Sequence, residues 1–134
     1  VVRSLVKCKY LCPGGGAMEM ELSVKLKQWA ESLKGEEGIC VREYADCFEV
    51  IPFTLAENAG LNPMNVVTEL KHAHLQGRKT VGISMRKGTH VQGTVADMTE
   101  LKVVNPLLVF LSAVKLATDT VTLILKIDNI VVAR

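Results

Sequence analysis

The residues of this sequence best suited to hold a ligand are three consecutive glycines, Gly14, Gly15 and Gly16, directly before a predicted helix. Because glycine has no Cβ atom, a ligand can approach such a segment closely. The first amides of the helix lie at its positive end, where they attract anions such as phosphate. The complete phosphate-loop pattern, with Lys followed by Ser or Thr, is absent from the sequence. The glycines therefore indicate either an anion site or a plain hinge between two helices.

A second candidate is Asn105, which precedes Pro106 at the predicted start of the last helix. Its side-chain amide could reach a ligand at the mouth of that helix. Alternatively, Asn105 caps the helix by accepting hydrogen bonds from its first amides. Both roles are possible together if the cap is shared.

The histidines and cysteines form no recognisable metal site. His72 and His74 lie two residues apart on a predicted helix, so their side chains point in different directions. His90 falls in a predicted loop. The cysteines lack the paired spacing of a zinc site and the framework of a secreted disulfide protein; they are Cys8, Cys12, Cys40 and Cys47. We therefore predict free, buried thiols in a reducing compartment, and a metal- or thiol-dependent enzyme is disfavoured.

The acidic pairs offer no clear catalytic chemistry. Glu19 and Glu21, like Glu36 and Glu37, are interpreted as solvated acids near helix starts, where they favour the helix dipole. No serine or cysteine has the setting of a nucleophile. On its own chemistry the sequence names no reaction.

Composition limits the partners. The 134 residues are 49% hydrophobic and the net charge is +2, too small to argue for nucleic acid or an anionic membrane. No membrane span is predicted, because the best apolar run, from Pro106 to Val114, is interrupted by Lys115 and is shorter than the roughly 20 residues that a bilayer requires. There is no signal-peptide layout and no initial Met, which suggests a piece of a longer chain.

The elements that position these residues are predicted to be mainly helical. The first half of the chain is predicted to contain a helix tail over 1–9, a helix from the glycines to Gly35 and a helix from about Glu37 to Asn58 that should be kinked at Pro52. Next comes a helix that is capped by Asn62, has Pro63 at its first position and ends near Gly77. A strand near 79–85, an irregular excursion over 88–100, a helix from Pro106 to about Lys126 and a short strand near 129–132 complete the chain. The last helix is apolar on most sides, which predicts burial on all sides in its native setting. The fold class is therefore mainly α and multihelical, with a minor β element.

Three of these helices have an apolar stripe at helical spacing. The stripes are Leu22, Leu26, Trp29 and Leu33 in the second helix, Cys40, Tyr44, Phe48, Ile51 and Leu55 in the third, and Met64, Val67 and Leu70 in the fourth. We predict that these stripes face the core.

Several stretches, in the right order, resemble the group II chaperonins, the ATP-driven folding rings of archaea and the eukaryotic cytosol. They are Gly14-Gly15-Gly16-Ala17-Met18-Glu19, Tyr44 to Pro52, Leu55 to Pro63 and Ile124 to Asn129. The stretches Val67 to Leu70, Arg86 to Gly88 and Val104 to Val109 most resemble the delta-subunit branch of that family. The resemblance covers the whole chain and identifies it as a C-terminal fragment of such a subunit.

The resemblance implies a location within the subunit. Residues 1–10 would end the intermediate domain, and 11–134 would form the C-terminal half of the equatorial, ATP-binding domain. It implies that Gly14, Gly15 and Gly16 lie against the nucleotide, that Gly82 flanks the adenine and that Asn105 meets the ribose, where most relatives have aspartate. The implied cofactor is ATP or ADP with Mg²⁺ in the full-length subunit, and the implied partners are other subunits of a cytoplasmic double ring and unfolded clients such as actin and tubulin.

The family's Gly-Asp-Gly-Thr phosphate loop, its water-positioning aspartate and its client-binding apical domain are not found in these 134 residues. Phosphoryl transfer depends on positioning and on neutralising charge, so we predict that this chain alone neither hydrolyses ATP nor binds nucleotide tightly. We also predict that the exposed apolar surface of the last helix makes the isolated chain self-associate. The alternative hypothesis is a non-enzymatic helical adaptor, or truncated chaperonin-like interaction module, with its own partner.

Overall fold

The computed structural model describes residues 1–84 and 95–129. Within these ranges it contains five helices and four short strands, which are α1 (Val2–Lys7), β1 (Leu11–Pro13), α2 (Ala17–Ser32), α3 (Glu36–Asn58), α4 (Pro63–Leu75), β2 (Val81–Ile83), β3 (Val95–Asp97), β4 (Val104–Pro106) and α5 (Leu107–Leu125). The predicted fold class, mainly helical with a minor β element, is confirmed.

The chain divides into two compact units. The larger unit is Pro13–Val104, and the smaller consists of Val1–Cys12 together with Asn105–Arg134. The chain crosses between them within β1 and again within β4. Each unit is described by itself below.

The core of the larger unit lies where α2, α3 and α4 pack together with β2. It is mostly aliphatic, as the scarcity of aromatic residues requires, and consists of Met20, Val24, Ala56, Val66, Leu70, Ala73, Val81 and Ile83. Two of its members, Ala56 and Ala73, are alanines, which let neighbouring helices approach closely.

The predicted stripe of α2 is wrong. Trp29 is 54% exposed, whereas Met20 and Val24 are buried on a different face of the helix. A helix that carries apolar residues on more than one side offers several stripes, and packing against α3 selects the one with small and flexible side chains. In α4 only Met64, which is 67% exposed, departs from the predicted stripe, because Leu70 is buried and Val67 packs against the core. Val66, which was not in the predicted stripe, is also buried.

The third helix follows its prediction more closely. Phe48 is buried and Tyr44 packs edge-on against its ring, with the ring centroids 5.2 Å apart. Pro52 is also buried within α3. Tyr44 and Ile51 are nevertheless more than a third exposed, so their predicted burial is wrong.

Helix ends are where local residue chemistry predicts the structure best. Asn62 caps α4 by accepting a hydrogen bond from the amide of Asn65, and Pro63 occupies the first turn as predicted. Gly60 and Gly77 have positive φ just beyond the ends of α3 and α4. Gly35 is different, because it directly precedes α3 rather than ending α2, which stops at Ser32.

The predicted strand near 79–85 is present as β2 and pairs antiparallel with β3, with Gly82 opposite Ala96. Strand β3 lies in the segment predicted as an irregular excursion, so that prediction is wrong for residues 95–97. A single antiparallel pair of three residues is too short for its alternation to show in the sequence. Residues 85–94 lie outside the described residues, as does the predicted loop position of His90.

The smaller unit contains α1 and α5. The amide of Leu107, the first residue of α5, donates a hydrogen bond to the carbonyl of Tyr10, at 3.0 Å. No residue of α5 is buried within the part of the chain that the structure describes, and Leu125 is 79% exposed. The strand predicted near 129–132 lies outside the described residues except for Asn129, which is not in a strand.

Helix α5 also corrects the membrane prediction. Its 19 residues are long and apolar enough to cross a bilayer by length and composition, although they include Lys115 and Asp119. The predicted apolar run ended at Lys115, but one or two charged residues do not prevent an apolar helix of this length from crossing a bilayer. One such helix is weak evidence for a span, because apolar helices of water-soluble proteins meet the same criterion.

Candidate functional site

The three glycines form a tight turn at the start of α2. Gly15 and Gly16 have φ values of 64° and 78°, a region that favours glycine strongly. The amide of Ala17 donates back to the carbonyl of Gly14 at 3.2 Å, and the amide of Gly14 donates to the carbonyl of Val103 at 2.9 Å. The turn is thus fixed by backbone hydrogen bonds at both of its sides.

Strand β2 runs directly against this turn and brings Gly82 to it. The amide of Ile83 donates to the carbonyl of Gly15 at 2.8 Å. A Cβ atom on Gly82 would lie 2.9 Å from the carbonyl oxygens of both Gly14 and Gly15. The structure therefore brings four of the five predicted site residues, the three glycines and Gly82, into one backbone junction, which we call the glycine junction.

Two buried side chains that the sequence analysis missed close the glycine junction. A Cβ atom on Gly15 would meet the Met98 sulfur at 2.5 Å, and one on Gly16 would meet the Pro52 Cβ at 2.9 Å. Met98 is almost fully buried. Met98 lies within a turn in which the Asp97 carboxylate accepts hydrogen bonds from the amides of Thr99 and Glu100. The Asp-Met-Thr sequence was therefore an available signal of a turn at this position.

The glycine junction keeps backbone donors free. Among the residues that the structure describes, the amides of Gly15 and Gly16 have no acceptor within the chain. These amides lie at the N-terminal end of α2, where the helix dipole favours negative charge. The arrangement can therefore donate hydrogen bonds to an anionic group.

Glu19, in the first turn of α2, is not the solvated acid that the sequence suggested. Burial raises the pKa of its carboxyl group, and a hydrogen bond from its own backbone amide offsets only part of that effect. Ionisation of this carboxyl group is therefore less favourable than that of a solvated glutamate.

Asn105 lies in the smaller unit, in β4, and its predicted capping role is wrong. The N-cap residue of α5 is Pro106, and α5 has no side-chain cap. The Asn105 backbone carbonyl accepts a hydrogen bond from the Cys12 thiol at 3.3 Å. Its amide side chain is thus not engaged in starting the helix.

A charged cluster fastens the three helices of the larger unit together. The Glu49 carboxylate on α3 accepts hydrogen bonds from Lys27 on α2 at 2.6 Å and from Lys71 on α4 at 3.0 Å, and also from Ser23. Burial alone would raise the pKa of Glu49, but these hydrogen bonds outweigh it and lower the pKa. Lys27 also pairs with Asp46, and these carboxylates raise its pKa despite the opposing effect of burial. The cluster has the composition of a structural ion-pair network.

His74 is a further residue that sequence reasoning missed, because its buried position depends on tertiary packing. It joins Glu21 on α2 to the backbone of β2. Neither it nor any other group forms a metal site, since the described residues contain no group of three or more His, Cys, Asp or Glu side chains placed to hold a metal. The four cysteines, all within the described residues, form no disulfide. Cys12 is buried, but Cys8 is only half-buried and Cys40 and Cys47 are exposed, so the predicted burial is wrong for these three.

Comparison with known proteins identifies the family. A family model described as the TCP-1/cpn60 chaperonin family matches residues 1–134. The chain belongs to the TCP-1/cpn60 chaperonin family. It is 54% identical over 134 residues to the T-complex protein 1 subunit delta of Takifugu rubripes and 52% identical to that of Bos taurus. These comparisons confirm the resemblance to a delta-type chaperonin subunit.

A solved chaperonin structure has the same fold. The chain matches an open-state monomer of a group II chaperonin from Methanococcoides burtonii with a TM-score of 0.80 and 39% sequence identity, over 87% of this chain and 28% of that one. All 134 residues align with the delta subunits but span only 24% of their length. This chaperonin chain therefore corresponds to about a quarter of those relatives.

Proposed function

We propose that this chain forms one wall of the nucleotide pocket in an ATP-dependent chaperonin subunit. In this proposal residues 11–134 are the C-terminal half of the equatorial domain and residues 1–10 end the intermediate domain. The observation that carries the proposal is the glycine junction, set within a chain whose entire length matches the family. Its free amides, at the positive end of α2, suit contact with a phosphorylated ligand.

Each candidate residue has a separate role in the proposal. The backbones of Gly14, Gly15 and Gly16 lie against the nucleotide, Gly82 flanks the adenine, and the amide of Asn105 bonds the ribose. When bound, ATP with Mg²⁺ supplies the reactive phosphate and the charge that neutralises it. The glycine junction fits the phosphate part of this ligand through its backbone donors, the amides of Gly15 and Gly16. The described residues supply no metal cluster, so Mg²⁺ would depend on the phosphates and on other parts of a complete subunit.

If these 134 residues form only one wall of the nucleotide pocket, they should have little ATPase activity on their own. The family's phosphate loop and catalytic aspartate are not in this sequence. We expect no ATP turnover by the purified chain and no heat of ADP binding in calorimetry at micromolar concentrations. Turnover that persists through further purification would contradict this division of roles.

The partners follow from the family. We propose that the subunit containing this chain joins other chaperonin subunits in a cytoplasmic double ring and helps fold clients such as actin and tubulin. In such an assembly neighbouring parts of the subunit would cover the apolar surface of α5. This placement accounts for an exposed apolar helix without a membrane.

A chimeric subunit tests the proposal. This chain replaces the matching quarter of the bovine delta subunit, and the purified double ring is assayed for incorporation of the chimera and for ATP turnover. We expect incorporation and turnover like those of the unaltered subunit. A chimera that folds but stays outside the ring would overturn the proposal.

The alternative function is a helical adaptor that binds a partner without nucleotide. The exposed apolar side chains of α5 favour it, since exposed apolar surface commonly marks an interaction site. The chimera separates the two hypotheses, because an adaptor has no reason to support ATP turnover within the ring.

A further inference from the structure

His74 is the most completely buried ionisable side chain with defined partners in the described part of the larger unit. Its side chain has no exposed surface, and each ring nitrogen has one partner. Nδ1 lies 2.8 Å from the Glu21 carboxylate oxygen Oε2, and Nε2 lies 2.9 Å from the Val81 carbonyl oxygen. The imidazole ring therefore connects α4 to both α2 and β2.

The partners fix where the hydrogens must be. A carbonyl oxygen only accepts, so Nε2 carries a hydrogen and donates it to Val81. A neutral imidazole has a single N–H group, which would leave a lone pair on Nδ1 facing the lone pairs of the Glu21 carboxylate at 2.8 Å. Two acceptors at that distance repel each other unless a proton lies between them. The geometry thus requires one proton more than a neutral histidine and an ionised glutamate provide together.

We infer that the Glu21–His74 pair retains this proton at neutral pH and that the proton resides on His74. The charged groups that face the pair support this assignment. Lys25 on α2 lies 3.5 Å from the second oxygen of Glu21 and favours the ionised carboxylate, while β2 contributes the Val81 carbonyl, which also favours an N–H donor. An imidazolium–carboxylate pair satisfies every hydrogen-bonding atom of this cluster.

The proton has a consequence for the glycine junction. Val81 precedes Gly82, and Ile83 donates to Gly15, so the imidazolium anchors the strand that completes the junction. Loss of the proton leaves two lone pairs in contact within the core, and either α2 or β2 must move away. Raising the pH therefore weakens the contact of His74 with α2 or with β2, the two elements that meet at the glycine junction. Any effect on a bound nucleotide rests on the proposed function, whereas the retained proton does not.

Nitrogen-15 NMR of the histidine side chains in the complete 134-residue chain tests the inference. At a pH of about 7.5, above the ordinary titration of histidine near ~6.5, we expect two N–H groups on His74. The exposed His72 serves as the internal reference and should carry one. A His74 ring that carries a single N–H group at this pH overturns the inference.

A variant provides the second arm. In Glu21→Gln the side-chain amide can donate to Nδ1, so His74 should lose one N–H and become neutral with its packing retained. Glu31→Gln, at an exposed position of the same helix, should leave both N–H groups in place. A doubly protonated His74 that persists in folded Glu21→Gln contradicts the role of Glu21. If that variant does not fold, the unaltered chain alone decides the question. Neither readout involves nucleotide, so this inference and the proposed function can fail separately.

Discussion

Substituting Gly82 with alanine tests the close packing of the glycine junction. The added Cβ atom would lie 2.7 Å from the Met98 Cγ and 2.9 Å from the carbonyl oxygens of Gly14 and Gly15. Met98 has a flexible side chain and can move, but the two carbonyls belong to a backbone turn that is held by hydrogen bonds. The strand must therefore shift away from the turn.

The expected cost follows from these contacts. Overpacking of a well-packed site costs about 1–3 kcal/mol, and replacing glycine by alanine recovers about 0.4–1 kcal/mol by restricting the unfolded chain. We therefore expect a net local destabilisation of about 1–2 kcal/mol, which corresponds to roughly a 5- to 30-fold change in an opening equilibrium. The Ile83 amide reports this change directly, because it donates to Gly15.

The assay is native-state hydrogen exchange at the Ile83 amide. Exchange should accelerate by the same factor in Gly82→Ala. The control is Gly60→Ala, where φ is 71° but no atom lies within 4 Å of the added Cβ. That variant should lose some stability through backbone strain without selective acceleration at Ile83. Unchanged exchange at Ile83 in folded Gly82→Ala would refute the packing argument.

Three further predictions concern stability and association. Burial raises the folded-state pKa of Glu19 above its unfolded value, so the contribution of this carboxyl group to stability is lost as the pH rises through the folded pKa. Glu19→Gln should therefore unfold at a higher temperature than the unaltered chain at neutral pH, and the difference should vanish in acid. A constant difference across pH would contradict the burial effect. Asn62→Ala should lower the free energy of unfolding by about 0.5–1 kcal/mol in urea titrations. This value is at the low end for a helix cap because the hydrogen bond to the Asn65 amide is 3.4 Å long. An unchanged free energy of unfolding would exclude a capping role. The double variant Leu116→Glu/Leu123→Glu should reduce both the self-association measured by light scattering and the binding of a hydrophobic dye. The control Thr120→Glu, also on α5, should reduce them less. Equal effects of the two variants would argue against an apolar contact surface.

Local signals and family motifs predicted different parts of this molecule. The Asn62-Pro63 start and the glycines beyond α3 and α4 could be read correctly because their chemistry acts within a few residues. The core face of α2 could not, since apolar residues lie on more than one side of this helix and packing against α3 decides which side is buried. Similarly, strand β3 and the burial of Met98 depend on pairing with a distant strand, which leaves almost no periodicity in three residues.

The candidate site shows the same division. The three glycines predicted the close approach of a ligand, and the structure shows that β2 comes close to them. Glu19 was misjudged and the contacts of His74 were missed, because burial is decided by the whole fold. The capping role of Asn105 failed because Pro106 itself takes the N-cap position of α5.

Photoaffinity labelling tests the central claim most directly. Rings that contain the chimeric subunit are irradiated with an azido-adenine analogue of ATP, and the labelled peptides of that subunit are mapped by mass spectrometry. If the glycine junction forms one wall of the nucleotide pocket, the label should fall on the peptides that carry residues 14–16 or Gly82, and excess ATP should abolish it. Competable labelling of the subunit that leaves both of these peptides unmodified would contradict the account.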